Sequence, residues 1–333
     1  MNKLVKSFAL GAVALAASSA FALPVFTVGT NSINFVAYEN QYRSDAMCAG
    51  VGGCLAGNAA IDPAGYKRVD PALTGMTAVI PTDLFIGIFK VTQLQPSNWG
   101  PSPTDNFTGY FVQEVDTVQA PGTFGLMGDT VSAKINLKAG ADPFATGKLA
   151  AGEMFALFTD STTNFNPNGA TALGTIGIAT DGLKWAGLGL TGVETYAYTL
   201  DNLAISAAAG TSGGLATKSY MSLDLFPYLP GAGGSYNAGQ LAKVNDLSES
   251  LMGGTTASLV CDPADLADPS VTCADIVGNA DVKRNALFGG SPWYFEVNDP
   301  LSISVIPEPA TLALVGLTLV GLGLSRRRTS AKS

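Results

Sequence analysis

Carboxylate side chains are the main source of candidate chemistry in this sequence, because its 333 residues include no histidine. Glu114 and Asp116 lie in a segment, residues 109–118, whose partial alternation of apolar and polar residues predicts a β-strand. Alternate residues of a strand share a face, so both carboxylates are expected on one side. Paired carboxylates can hydrolyse glycosidic bonds. Acids so placed on a strand are more commonly a solvated face, and we favour that interpretation.

A second group of acids lies around Cys261 and Cys273. Oxygen ligands on a constrained loop would suit Ca²⁺, which takes about six to eight of them. The spacing does not follow the EF-hand loop, and the prolines of this stretch favour an ordinary turn-rich loop. Calcium is therefore kept as a candidate ligand, and no other cofactor is predicted. The candidate calcium ligands are Asp262, Asp265 and Asp268, with Asp275 nearby.

The residue inventory excludes several classes of function. Without histidine there is no Ser-His-Asp or Cys-His arrangement and no imidazole metal site. A formal net charge of −8 argues against nucleic acid as a partner, because phosphate binding needs a clustered basic surface. Hydrophobic residues make up 47% of the chain and charged residues 13%, which is unlike a disordered chain. The composition predicts a protein that is not an enzyme.

Short apolar or alternating runs separated by turn residues predict an all-β fold for residues 23–306, either β-sandwich-like or an irregular β-barrel, with minor helices. The two expected helices cover residues 145–156 and 240–251. The Gly-rich residues 231–235 are either a linker between two halves or a surface loop, and we favour one elaborated domain. The predicted strands cover residues 83–91, 109–118, 154–158, 195–200, 220–226, 293–297 and 301–306.

The first 22 residues have the three parts of a secretory signal peptide. Lys3 and Lys6 give a basic start, and residues 8–17 form a ten-residue apolar run. Ala20 and Ala22 supply the small residues that signal peptidase requires, which predicts cleavage before Leu23. The expected partners are signal peptidase and the general secretion machinery. A buried core helix is the alternative, but the order of the three parts favours a signal.

The C-terminal residues 307–333 contain a second three-part pattern. The motif is Pro307, Glu308 and Pro309, and an apolar run at residues 310–324 follows it. Fifteen helical residues cover about 22 Å, which could span a locally thinned bilayer as a single transmembrane helix. The next basic residues should hold that end in the cytoplasm, which places the rest of the chain outside. These residues are Arg326, Arg327 and Arg328.

The four cysteines lie in two groups of two that are close in the sequence, and the predicted export of the chain affects their expected chemistry. An even number of cysteines in an exported chain predicts disulfides, and four cysteines allow three connectivities. The short loops favour pairing Cys48 with Cys54 and Cys261 with Cys273, each stabilising the fold by roughly 2 to 3 kcal/mol in the chain-entropy model. A four-thiolate metal site is the alternative, but its ligands are usually more closely spaced within each pair.

The C-terminal pattern resembles the PEP-CTERM sorting segment of exported bacterial proteins. The resemblance covers residues 307–333 and implies recognition of Pro307-Glu308-Pro309 by an exosortase-type membrane protease. Removal of the tail would then release the chain to the cell surface or the extracellular matrix. A plain membrane anchor, in which the two prolines only end the helix, is the alternative.

The overall layout also resembles the flocculation-associated members of this group, through an aromatic strand and Asn298-Asp299-Pro300 shortly before the motif. That resemblance implies a role in exopolysaccharide-dependent aggregation, flocculation or biofilm, with exopolysaccharide as a partner. The alternative function is an exported carbohydrate-binding or carbohydrate-active protein. Trp99, Trp185 and Trp293 could then stack on sugar rings, although core packing is their commoner role.

Overall fold

The fold is taken from a computed structural model of the chain. It describes residues 29–71, 79–95, 106–119, 133–160, 164–190, 195–199, 217–227, 244–245, 273–274, 276–284 and 291–305. Both sequence signals, at residues 1–22 and 307–333, therefore lie outside the described residues, as does the Gly-rich stretch at 231–235. Within the described residues, no helix is long and apolar enough to cross a membrane.

The described residues form thirteen strands and two short helices. The helices are α1 (Asp45–Val51) and α2 (Ala172–Ala179). The strands of the first half are β1 (Gly29–Ser44), β2 (Tyr66–Arg68), β3 (Leu84–Gln95), β4 (Asn106–Gln119), β5 (Ala133–Ala139) and β6 (Glu153–Asp160). Those of the second half are β7 (Leu183–Leu190), β8 (Thr195–Thr199), β9 (Thr217–Pro227), β10 (Val244–Asn245), β11 (Cys273–Ala274), β12 (Ile276–Arg284) and β13 (Phe295–Val305).

Eleven of these strands build one antiparallel sheet, which closes on itself. Neighbouring strands follow the order β12-β13-β1-β3-β4, and β9 pairs with β12. Two routes connect β4 to β9: β5 with β8, and β6 with β7. β2 attaches to β1, and β10 pairs with β11 in a separate small ribbon. The described residues are mostly antiparallel β-strands with two short helices, which confirms the predicted all-β class with minor helices.

The sheet is buried on both faces where β3 and β4 cross it. Successive side chains of a strand point to opposite faces. On β3, Phe89 belongs to a cluster of buried side chains on the inner face of the sheet, which we call the inner cluster. Ile86 and Ile88 belong to a second cluster, on the outer face, which we call the outer cluster. Helix α2 covers the outer cluster with Ala172 and Ile176. Burial on both faces explains why the sequence of β3 is an apolar run without alternation.

The last strand is longer than expected, because β13 runs from Phe295 through Pro300 to Val305 without a break. All eleven of its residues have partners on β1. On its other edge, pairing with β12 is interrupted between Asn298 and Leu301. Proline has no N–H to donate, which accounts for a gap in the ladder at this point. The predicted strand segments 293–297 and 301–306 therefore belong to one strand, which begins at Phe295 and so excludes Trp293 and Tyr294.

The helix predicted over residues 145–156 is wrong. Ala145 has a φ of 51°, and Gly147 and Gly152 also lie in the left-handed region, which ends any helix. The Asp142 carboxylate accepts hydrogen bonds from the backbone N–H groups of Phe144 and Thr146 and fixes a turn instead. The last four residues of the predicted helix belong to β6.

The helix predicted over residues 240–251 is also contradicted where it can be seen, since Val244 and Asn245 form β10. The rest of that stretch lies outside the described residues. Both helices of the described residues were missed. Ser44 caps α1 and Thr171 caps α2, each side-chain oxygen accepting a backbone N–H of the first turn, but the helices are too short to show a clear period.

Candidate functional site

A buried ion pair lies where β1 ends. The guanidinium of Arg43 donates from Nε to Oδ1 of Asp83 at 2.9 Å and from Nη2 to Oδ2 at 2.8 Å, and both side chains are fully buried. The side-chain amide of Gln41 also donates to Oδ2, at 2.7 Å, as does the backbone N–H of Ile80, at 3.0 Å. Burial raises the pKa of Asp83, and the hydrogen bonds from Arg43 oppose that shift.

The geometry of the Arg43–Asp83 ion pair indicates a structural role. Arg43 Nη1 also donates to the carbonyl oxygen of Gly52 at 3.0 Å, so one side chain joins β1, the turn before β3 and the loop after α1. Both oxygens of this fully buried carboxylate already accept hydrogen bonds, four in all, so neither is open to a substrate. Sequence reasoning missed the pair because its members are 40 residues apart. The only local signal was Asp83 immediately before an apolar strand.

The disulfide between Cys48 and Cys54 closes the loop beside this pair, which confirms the predicted pairing. The two Cα atoms are 5.6 Å apart, within the normal range for a disulfide. Gly52 and Gly53 both have positive φ, at 82° and 76°, and this left-handed backbone returns the chain from α1 to Cys54. Cys261 lies outside the described residues, so its pairing with Cys273 stays a prediction.

Glu39 is a second buried acid, in the middle of β1. It shares a face of the strand with Ala37, which packs in the inner cluster, and its neighbours across the sheet are Gly87 and Phe295. A Cβ at Gly87 would come within 2.7 Å of the Phe111 ring, so an aromatic side chain fills the space that this glycine leaves. Burial raises the pKa of Glu39 to about 8, and the carboxyl group is therefore mainly protonated at neutral pH.

The candidate catalytic acids Glu114 and Asp116 lie together at the surface. Lys138 Nζ is 2.9 Å from Asp116 Oδ1 and 3.4 Å from Glu114 Oε1, and both carboxylates raise the pKa of the lysine. The half-exposed Asp116 falls where the pairing of β4 with β5 shifts register. Two carboxylates that share one surface ammonium form a solvated ion cluster, which fits the interpretation that we favoured from the sequence.

Two of the three tryptophans are core residues. Trp185 packs edge-on against Phe107, with ring centroids 5.1 Å apart, and is 5% exposed. Trp293 is 2% exposed, and its indole N–H donates to Oγ1 of Thr175 at 3.1 Å. Neither ring can present a face to a sugar without unpacking the core. Trp99 lies outside the described residues.

Most of the remaining predicted site residues cannot be placed. No group of three or more potential metal-ligating side chains occurs among the described residues. The residues of the predicted sites that lie outside the described ranges are Asp262, Asp265 and Asp268 of the calcium site, Ala20 and Ala22 of the signal cleavage site, Pro307, Glu308 and Pro309 of the sorting motif, and Arg326, Arg327 and Arg328 of the cytoplasmic anchor.

The fold places the strand that precedes the sorting motif. β13 lies between β1 and β12, and its last residue, Val305, pairs with Gly29, the first residue of β1. Only Ile306 separates the end of the paired strand from Pro307. The last described strand and the linear motif are therefore almost adjacent in the sequence.

Comparison with known proteins identifies that signal. Residues 305–328 match the family model of the PEP-CTERM protein-sorting motif. The motif indicates an exported protein that is targeted to the cell envelope or surface and processed by an exosortase-type enzyme. No curated protein and no solved structure matches the chain. The match covers the C-terminal signal alone, so the role of the β-domain has to be argued from its own residues.

Proposed function

We propose that this chain is a non-enzymatic surface or extracellular-matrix protein. The general secretion machinery exports it, signal peptidase removes residues 1–22, and residues 310–324 tether it to the membrane until an exosortase-type protease cleaves near Pro307-Glu308-Pro309. The released domain then contributes to exopolysaccharide-dependent aggregation, flocculation or biofilm, without a cofactor. The observation that carries the proposal is the sorting-motif match at residues 305–328.

The acids and aromatic rings of the described domain support a structural role. Asp83 is saturated by hydrogen bonds within the fold, and Glu114 and Asp116 share the ammonium of Lys138. Trp185 and Trp293 are buried. These groups are therefore engaged by the protein itself, which weakens the alternative of a carbohydrate-active or carbohydrate-binding protein that uses them.

The net charge of the mature domain limits which polysaccharides it can bind. Removal of residues 1–22 and 310–333 takes away six of the 18 basic residues and none of the 26 acidic ones, so the mature domain carries a net charge of −14. Such a domain repels an anionic polymer unless divalent cations bridge the two. We propose a neutral polysaccharide, or an acidic one held through a cation such as calcium.

Mass spectrometry of the released protein tests the sorting step. We expect a chain that begins near Leu23 and ends near Pro309. The variant Glu308→Gln should accumulate as the uncleaved form, whereas the matched variant Glu296→Gln, on β13, should be processed normally. Recovery of a mature protein with an intact C-terminus would contradict the proposal.

A deletion strain tests the matrix role separately. Loss of the gene should reduce flocs or biofilm, and the full-length gene should restore them. A gene that lacks residues 307–333 should fail to restore them although its β-domain is intact. Normal flocs in the deletion strain would overturn the matrix role while leaving the sorting step unaffected.

A further inference from the structure

The two chain termini leave the described sheet at one end. β1 is the first strand and β13 the last, yet they are antiparallel neighbours, with Gly29 opposite Val305. We call the part of the sheet around this pair the terminal end. The predicted signal cleavage site therefore lies six residues before the terminal end, and the sorting motif begins two residues after it.

These short connections keep the terminal end close to any membrane that holds the tail. Residues 306–309 separate Val305 from the apolar run, and four extended residues span at most about 14 Å. The headgroup layer on one side of a bilayer occupies about 6 Å of that distance. Residues 23–28 allow at most about 20 Å on the N-terminal side, so both tethers would act on the same end of the domain before they are cut.

The residue types at the terminal end differ from those of the rest of the same strands. Register places four strand segments together at this end, and not one of their residues is Asp, Glu, Lys or Arg. The segments are residues 29–34 of β1, 91–95 of β3, 276–280 of β12 and 300–305 of β13. A 13% average charged content would give these 22 residues about three charges.

The remaining parts of the same four strands are rich in charge. They contain eight charged residues: Glu39, Arg43, Lys90, Asp281, Lys283, Arg284, Glu296 and Asp299. Along these four strands, the charged residues therefore lie away from the terminal end. The opposite end, which includes α1 and the Cys48–Cys54 disulfide, is called the distal end below.

We propose that the terminal end faces the bilayer surface while the chain is tethered. A charged group loses hydration when it approaches a low-dielectric layer, and an acidic surface is repelled by anionic lipid headgroups. The four uncharged segments avoid both costs along the β12-β13-β1-β3 part of the sheet, whereas Asp160 of β6 and Asp224 of β9 lie at the same end on other strands. The sixteen residues of β1 then extend about 50 Å, less any strand tilt, so the distal end projects away from the membrane and is available to matrix partners.

This inference rests on the proposed membrane tether, and energy transfer to lipid tests its geometry. The full chain with Glu308→Gln, which blocks cleavage, is reconstituted in vesicles of phosphatidylethanolamine and phosphatidylglycerol that contain an acceptor-labelled lipid. A donor dye is attached through Gln93→Cys at the terminal end or through Ala46→Cys at the distal end. Both positions are exposed. A chain without the added cysteine measures background labelling.

We expect several-fold more energy transfer from position 93 than from position 46. Equal transfer from the two positions, or more from position 46, in protein that floats with the vesicles would overturn the orientation and leave the tether intact. Failure of the chain to float would overturn the tether itself and the orientation with it.

A processing assay gives a second, independent readout. Thr92→Glu with Gln93→Glu adds charge at two exposed positions of the terminal end, and Ala46→Glu with Ala49→Glu adds the same charge at the distal end. The cleaved fraction should fall several-fold for the first pair and stay unchanged for the second. Equal processing of two folded variants would contradict the proposal.

Discussion

The two ends of β1 are held in place by different means. At the distal end, Arg43 forms a fully buried ion pair with Asp83, and the Cys48–Cys54 disulfide closes the next loop. At the terminal end, β1 pairs with β13 and β3, and the side chains of Asn34 and Gln93 share an exposed hydrogen bond. At the distal end, β1 is followed by a short helix and a loop that the disulfide and the ion pair restrain, whereas at the terminal end β1 lies between two paired strands.

Removing the charge of Asp83 should have the largest effect on this comparison. Asp83→Asn keeps the shape of the side chain but leaves the buried guanidinium of Arg43 uncompensated. Breaking a buried pair in this way costs about 3–5 kcal/mol of unfolding free energy. Denaturant unfolding of the mature protein measures the loss.

The matched control is Asp45→Asn, which removes a carboxylate whose Oδ1 lies 3.5 Å from Nζ of Lys67. The side chain of Asp45 is 54% exposed. We expect a loss below about 1 kcal/mol there, because exposed ion pairs contribute little. Similar losses for the two variants would show that the distal end does not depend on its buried charge.

Glu39, between the two ends, should make stability depend on pH. Its pKa rises from 4.5 to about 8 on folding because the carboxyl group is buried. Between these values the native state holds one proton more than the unfolded state, so stability falls as the pH rises. The unfolding free energy falls by at most about 1.4 kcal/mol per pH unit. The loss of stability is complete once the pH exceeds the pKa of Glu39 in the folded state.

Glu39→Gln removes the ionisable group and should flatten this dependence. The variant should gain stability relative to the parent chain as the pH rises from 5 to 8, with the two curves closest at the acid side. Thermal unfolding at a series of pH values is the measurement. Parallel curves over that range would mean that Glu39 does not bind the extra proton.

Loss of the disulfide should have a smaller effect. The variant Cys48→Ala with Cys54→Ala opens a short loop, and the chain-entropy model gives a cost of roughly 2 kcal/mol. The corresponding change at Cys261 and Cys273 is the matched comparison, since it tests the predicted second pair in the same assay. An unchanged denaturation midpoint for the first variant would show that the ion pair alone fixes the distal end.

The sequence predicted those elements whose signals are local. Leu84–Gln95 and Asn106–Gln119 are strands with apolar runs bounded by turn residues, and the sorting motif was readable because a protease recognises a linear segment. The first disulfide was predictable because its cysteines are only six residues apart. Each of these features depends on neighbours in the chain.

The features that were missed depend on register. β1 mixes polar and apolar residues, because Glu39 and Arg43 face the interior, and its alternation is lost. The ion pair with Asp83 forms only after β1 and β3 have paired. The juxtaposition of Gly29 with Val305 likewise follows from the first and last strands being neighbours, which no local pattern encodes.

The smallest effect is expected from an exposed hydrogen bond at the terminal end. Gln93→Ala removes the exposed 3.1 Å hydrogen bond from the Asn34 side chain. Both groups are hydrated when the bond is lost, so the cost should stay below about 0.5 kcal/mol, as for most surface substitutions. Denaturant unfolding of the mature protein gives the value, with Asp83→Asn as the reference. A loss above about 1 kcal/mol would mean that side-chain contacts also fix this end, because a hydrogen bond reaches that value only when its partners are withdrawn from water. Side-chain contacts would then restrain both ends, and the two ends would differ in the strength of those contacts and in charge.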